Sequence, residues 1–191
     1  FGTIAMNDLF LENNEGSYNI GKITLNSINR ASTYKMELMS SFAEGTYVGT
    51  APVTEFIKDL MGSTLKREVP ALFKDPSYQW NGNRYKIDFK FNNTMDILSF
   101  TMPGLYIAEN TTLNANLNDR GRFNASLNSQ RIAFKKQYLK DVNLSINNND
   151  DKLVGELKGS ELQVATLKLN ENSLRILAED NHIGAGYTYD N

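Results

Sequence analysis

The 191-residue sequence contains no cysteine. That excludes disulfides, thiol nucleophiles and thiolate metal sites, and it fits many compartments, including a periplasm where stray thiols would be oxidised. The one histidine, His182, lies beside an Asn turn and reads as a surface residue. As a general base it would need an orienting partner and a nucleophile. No apolar run approaches the roughly 18–20 residues of a membrane span. Neither sign of charge dominates: the formal net charge is −2. Phosphate neutralisation needs clustered Lys and Arg, so no nucleic-acid partner is expected. Lys66-Arg67 and Lys135-Lys136 are the adjacent basic pairs, and ordinary solvated faces explain them. The chain opens directly in a strand-like segment without a signal-peptide pattern, so the expectation is a piece of something longer.

What is present is alternation. Leu113, Ala115 and Leu117 are interleaved with Asn114, Asn116 and Asn118; Phe123, Ala125 and Leu127 follow between polar residues; Val142, Leu144 and Ile146 repeat the pattern. Side chains on a strand point to opposite faces at period two, so each segment has one apolar and one polar face. Turns are expected at Asn118 to Gly121, Asn147 to Asp151, Gly159-Ser160 and Asn170 to Asn172. This predicts an antiparallel meander over 81–191. Residues 1–50 read as further strands, with a bulge or turn at Gly21-Lys22, where the register slips between Ile20 and Ile23.

Between them, 51–80 reads as a helix and linker. Val53, Phe56, Ile57, Leu60, Met61 and Leu65 follow helical spacing over about 52–68. Asp75-Pro76 marks a turn in the linker. Ile97, Leu98 and Phe100 fit a short helical turn ended by Pro103-Gly104. The expected fold is mainly β: one elongated, curved antiparallel sheet of ten to twelve strands, a taco-like groove or open barrel, with one amphipathic helix. At about 4.8 Å per strand it would extend roughly 50 Å. A closed barrel or compact sandwich uses the same pattern.

No catalytic constellation emerges, and no cofactor is expected. The run ending in Asp150-Asp151 fails the EF-hand pattern, because Lys152 and Lys158 occupy the loop Gly and bidentate Glu positions. Gly184 and Gly186 follow no strand-to-helix transition, which removes a phosphate loop. Pairs such as Asp88 and Asp96 have no spacing that requires joint acid–base work. Four Asn-x-Ser/Thr sequons, at Asn92, Asn110, Asn124 and Asn143, arise by chance in so Asn-rich a chain. Met61, Met95 and Met102 fall at the helical interruptions and read as gap-fillers.

The Ile4–Leu11 strand, the helix ending in Val69-Pro70-Ala71-Leu72-Phe73, the Tyr85–Phe91 strand and the break Asp96 to Gly104 occur in this order. The run Ile107 to Ala115 follows. Together they resemble a middle segment of the TamB family, the translocation and assembly module proteins of the AsmA-like group in Gram-negative bacteria. The resemblance implies a U-shaped sheet with an apolar groove, tethered at the inner membrane and crossing the periplasm. It further implies phospholipid transport to the outer membrane, and assembly of outer-membrane proteins with a barrel partner through parts of the chain not present here. It supplies no catalytic residues.

The one-sided pattern leaves an apolar strip that the helix, another subunit or acyl chains must cover. With what the resemblance implies, the expected function is a groove that binds or conducts phospholipid acyl chains. The candidate lining is Ile87, Phe89, Leu113, Leu117, Phe123, Leu127, Phe134, Leu144, Ile146, Leu157, Val164, Leu174 and Ile176, with Lys90, Asn116, Asn124 and Asn143 facing water. A dry sandwich core would use the same residues. The alternative function is a non-catalytic spacer or chaperone-like surface whose strand edges pair with a client strand, or with a second copy of the chain in an edge-strand dimer. An enzyme has only scattered carboxylates behind it. The helix is expected to lay Val53, Phe56, Ile57 and Leu60 on the apolar face.

Overall fold

The computed structural model describes residues 2–72, 80–150 and 152–190. The strands are β1 (Gly2–Asn13), β2 (Gly16–Arg30), β3 (Thr33–Ser40), β4 (Ala43–Gly49), β5 (Tyr85–Phe91), β6 (Leu105–Ile107), β7 (Thr111–Leu117), β8 (Phe123–Phe134), β9 (Gln137–Asn147), β10 (Leu153–Val164), β11 (Leu167–Glu179) and β12 (His182–Asp190). Three helical segments interrupt them: α1 (Val53–Ser63), α2 (Leu65–Glu68) and α3 (Met95–Thr101).

The strands form one antiparallel sheet in the order β1-β2-β3-β4-β5-β7-β8-β9-β10-β11-β12, with short β6 pairing β8 off this path. The mainly β, antiparallel architecture is therefore as the alternation indicates. The sheet is open: β1 pairs only β2, and β12 pairs only β11. No second sheet lies across it, so neither a closed barrel nor a sandwich forms among the described residues. Its surface area is 11654 Å², whereas a compact protein of this mass exposes about 9,200 Å². The excess is the signature of a single layer.

Gly21, at φ +73, sits opposite Leu9 in a bulge, where the slip in the β2 pattern is expected. Two expected turns do not occur. Gly159-Ser160 lies inside β10, and Asn170 to Asn172 lies inside β11. In β11 two consecutive residues face outward, which mimics a turn in sequence; in β10 the Gly-Ser pair itself mimics one, although Gly159 is buried. Asn170 and Glu171 are both exposed between buried Leu169 and Asn172, and Glu171 takes a φ of +46. Gln130-Arg131 on β8 is exposed in the same way, and Asp141 on β9 has a φ of +47. The slips lie side by side on four neighbouring strands, so the pairing register is unchanged across them. Their effect is to keep apolar residues on one side: Leu139, beyond the slip, covers Gly159, where any Cβ would collide with it.

From β8 onward the two-residue links between paired strands are Lys135-Lys136, Ala165-Thr166 and Asp180-Asn181, while the expected turns from Asn118 and after Asn147 form as longer links. Lys135, Ala165, Asp180 and Asn181 all have positive φ, as tight hairpins require. Only the last carries the residues that signal it. The expected Asp75-Pro76 turn lies outside the described residues.

The helix is broken at Thr64, whose φ of −116 and ψ of −83 leave the helical region. Its hydroxyl donates back to the Leu60 carbonyl at 2.5 Å, an interaction that bends helices. Phe56 and Leu60 pack on the sheet as expected, but Val53 and Ile57 do not: Ile57 is 59% exposed. The inward face runs through Phe56, Asp59, Leu60 and Ser63, one residue-width round from the expected stripe.

Candidate functional site: the apolar face of the sheet

Cross-strand partners share a face, so register locates the apolar surface. One row crosses the whole sheet: Ile4, Leu25, Leu38, Gly45, Phe89, Leu113, Leu127, Leu144, Leu157, Leu174 and Tyr187. Ten inter-strand steps make it about 48 Å long. Gly45 interrupts the row because the Phe89 ring lies over it, and a Cβ there would meet that ring at 2.7 Å. A second row runs alongside through Met36, Tyr47, Ile87, Ala115, Ala125, Ile146, Gly155, Ile176 and Ala185.

The candidate residues divide by what covers them. Phe89, Leu113, Leu127, Leu144, Leu157 and Leu174 lie along the first row and are partly exposed. Ile176, on the second, is exposed. Leu117 and Phe123 belong to a third row and are fully buried with Tyr47, Ala51 and Tyr85 under α1. They are floor beneath the helix and do not line an open surface. Ile87 and Ile146 pack against that cluster from its margin. Phe134 and Val164 lie beyond the slips, at the far ends of β8 and β10, and both are exposed.

Two helical pieces border this face. The α1–α2 segment is fastened along one margin by polar contacts. Buried Asp59 accepts from the Asn81 N–H at 3.2 Å, from the Asn83 amide at 2.8 Å and from the Tyr85 hydroxyl. Burial, then this hydrogen bond to Asp59, pushes the Tyr85 phenol far above its ordinary pKa. Burial and the same carboxylate raise that of Tyr47, whose hydroxyl donates to the Ala51 carbonyl at 2.5 Å. Farther along, buried Asn148 donates to the Ser63 carbonyl at 3.4 Å and accepts from the Phe123 N–H at 2.6 Å. The Asn181 N–H reaches the Glu68 carbonyl at 2.7 Å. Alternation reasoning missed Asp59 and Asn148. The available signal was an acid at helical spacing between Phe56 and Leu60, on the apolar stripe itself. On the opposite margin α3 packs on β1, β2 and β6, with Phe100 edge-on to Tyr18 at 5.8 Å.

The reverse face is mainly polar, with exposed Ile28, Met39 and Val48 on its β2–β4 side. Asn116, Asn124 and Asn143 are exposed there, Asn143 donating to Asn128 at 2.6 Å. Lys90 is partly exposed and pairs with Glu44 at 3.8 Å, and Lys86 with Asp88 at 3.0 Å. A shallow trough of about 560 Å³ crosses it, with Glu37, Glu44, Asp88 and Lys90 among its lining. Among the described residues no cluster of His, Asp and Glu is arranged to hold a metal ion, and no helix is long and apolar enough to cross a membrane. Comparison with family models, with curated proteins and with solved structures found no match to this chain.

Proposed function

We propose that the open apolar face binds phospholipid acyl chains and lets them move along it. The observation that carries this reading is the leucine-rich row across eleven strands, broken only at Gly45 where the Phe89 ring lies over it, and left without a covering layer among the described residues in a sheet that does not close. A soluble monomer normally keeps apolar patches to a few hundred Å². Each buried methylene contributes about 0.8 kcal/mol, and near-equal sites spaced one strand apart favour sliding over fixed binding. No reacting group is part of this reading; the protein acts as a conduit or holder. Its setting, by the resemblance to the TamB family, is the periplasm, as part of a protein tethered to the inner membrane that works with an outer-membrane barrel partner.

Photo-crosslinking residues at Leu144, Leu157 and Leu117 in the cell envelope test it. Leu144 and Leu157 should capture phospholipid, and Leu117, covered by α1, should not. Well-folded protein with no lipid adduct at either open site would sink the proposal.

A second reading rests on β1 and β12, each with one unpaired edge. Such edges accept another strand, either a client in outer-membrane protein assembly or a second copy in an edge-strand dimer. Lipid-free protein that pairs with strand peptides would favour it.

A further inference from the structure

A recess opens where one edge of β8 changes partner. Along that edge β6 pairs with Ile132 to Phe134 and β7 pairs with Phe123 to Asn128, while β9 occupies the other edge. Between β6 and β7 the chain from Ala108 to Asn110 crosses beside Ser129 to Arg131 outside either ladder. The crossing is held firmly. The Ala108 N–H donates to the Arg131 carbonyl at 2.9 Å, and the Asn110 N–H to the Phe91 carbonyl at 2.8 Å. Asn110 takes a φ of +62. The buried Thr111 hydroxyl donates to the Ala108 carbonyl at 2.6 Å. From the start of α3, the Thr94 hydroxyl donates to the Ile107 carbonyl at 3.2 Å and ties that helix to the same crossing.

The recess has a volume of about 350 Å³, at the lower end of the range for small-ligand sites. Thr94 and Ala108 are its buried lining; Asn93, Met95, Tyr106, Glu109, Asn110 and Gln130 are its exposed lining. The side chains of Tyr106, Glu109, Asn110 and Gln130 have no partner among the described residues. Their hydrogen-bonding capacity narrows what fits. An amide donates and accepts, whereas the Glu109 carboxylate only accepts. A phosphate or carboxylate, which only accepts, finds no cation in the lining and one carboxylate against it. An ammonium group, which only donates, leaves the amide N–H groups of Asn110 and Gln130 unused. A hydroxyl donates and accepts, so a set of neighbouring hydroxyls answers all three side chains. Tyr106 and Met95 add apolar wall for the C–H face of a ring.

We propose that this recess binds a neutral sugar on the scale of a mono- or disaccharide. None of its lining belongs to the two apolar rows, so the site is independent of acyl-chain binding.

Titration of the intact chain with glucose, N-acetylglucosamine, maltose and cellobiose, followed residue by residue by NMR, tests the proposal. At least one of these sugars should shift signals gathered at 93–95, 106–110 and 130. Choline and glucose 6-phosphate, as cationic and anionic probes, should bind there more weakly. Glu109→Ala with Gln130→Ala should weaken sugar affinity about tenfold, as the loss of two hydrogen-bonding groups does. Both side chains are exposed and unpartnered, so the fold survives, and an unchanged spectrum elsewhere checks it. Tyr106→Ala should weaken binding through the ring contact alone. Leu144→Ala, on the apolar row, should leave it unchanged. No localised shift with any of these sugars, tighter binding of choline or glucose 6-phosphate, or wild-type affinity in both the double variant and Tyr106→Ala would overturn the inference.

Discussion

Two parts of the apolar face are written in the same alternating pattern and end differently. Under α1, Leu117 and Phe123 are as buried as residues in a globular core, packed with Tyr47 and Tyr85. On the next two strands, β9 and β10, Leu144 and Leu157 have equivalent neighbours within the sheet but lack a second layer, and they remain partly exposed. A strand's pattern records which side is apolar. Whether that side is dry depends on an element from elsewhere in the chain.

The sharpest test of the contrast is truncation on both sides of it. Leu117→Ala should lower stability by about 2–5 kcal/mol, as a cavity under a packed helix does. Leu144→Ala should cost about 1 kcal/mol or less. Denaturant unfolding of the two variants measures both, and equal losses would remove the distinction.

Next in size is the fastening of the helix. Asp59→Ala leaves the Asn81 N–H and the Tyr85 hydroxyl without their acceptor, at about 1–3 kcal/mol. Hydrogen exchange should rise in α1 while β9 and β10 stay protected. A uniform rise across all strands would mean that helix and open rows form one cooperative unit.

The smallest effect belongs to the exposed polar face. The Tyr138 hydroxyl, then Lys140 and Lys168, hold Glu161 below its ordinary carboxylate pKa. A depressed folded-state pKa contributes stability above the unfolded value of 4.5, and that contribution is lost as pH falls through the folded value. Thermal melts of the wild type and Glu161→Gln should therefore differ slightly at neutral pH, and the difference should shrink as pH falls below 4.5 through the folded value. A gap that widens in acid would reverse the assignment.

The strands were legible because period two survives in nearly every segment, and Tyr85 to Phe91 shows it without fault. The slips were not, because two outward polar residues in succession, as at Asn170-Glu171, look in one dimension like a turn. Lys135-Lys136 and Ala165-Thr166 show the reverse problem: positive φ at Lys135 and Ala165 is imposed by tight strand pairing and leaves no Gly or Asn to read. The candidate surface was legible as a face, since register only had to bring like residues together. Its covering was not. Helical spacing allowed Val53 and Ile57 inward, and the docking was decided instead by a carboxylate that finds Tyr85, 26 residues away.

The order of the strands has a mechanical consequence. Nearly every ladder joins strands that follow one another in the chain, the exceptions being β5 with β7 and β6 with β8. Because β1 and β12 form opposite margins, tension applied between them acts across the hydrogen-bond ladders and does not shear them. The sheet should then peel like a zip, one hairpin at a time and at low force. Resistance should appear where α1–α2 ties the turns before β5, β10 and β12 to a single element.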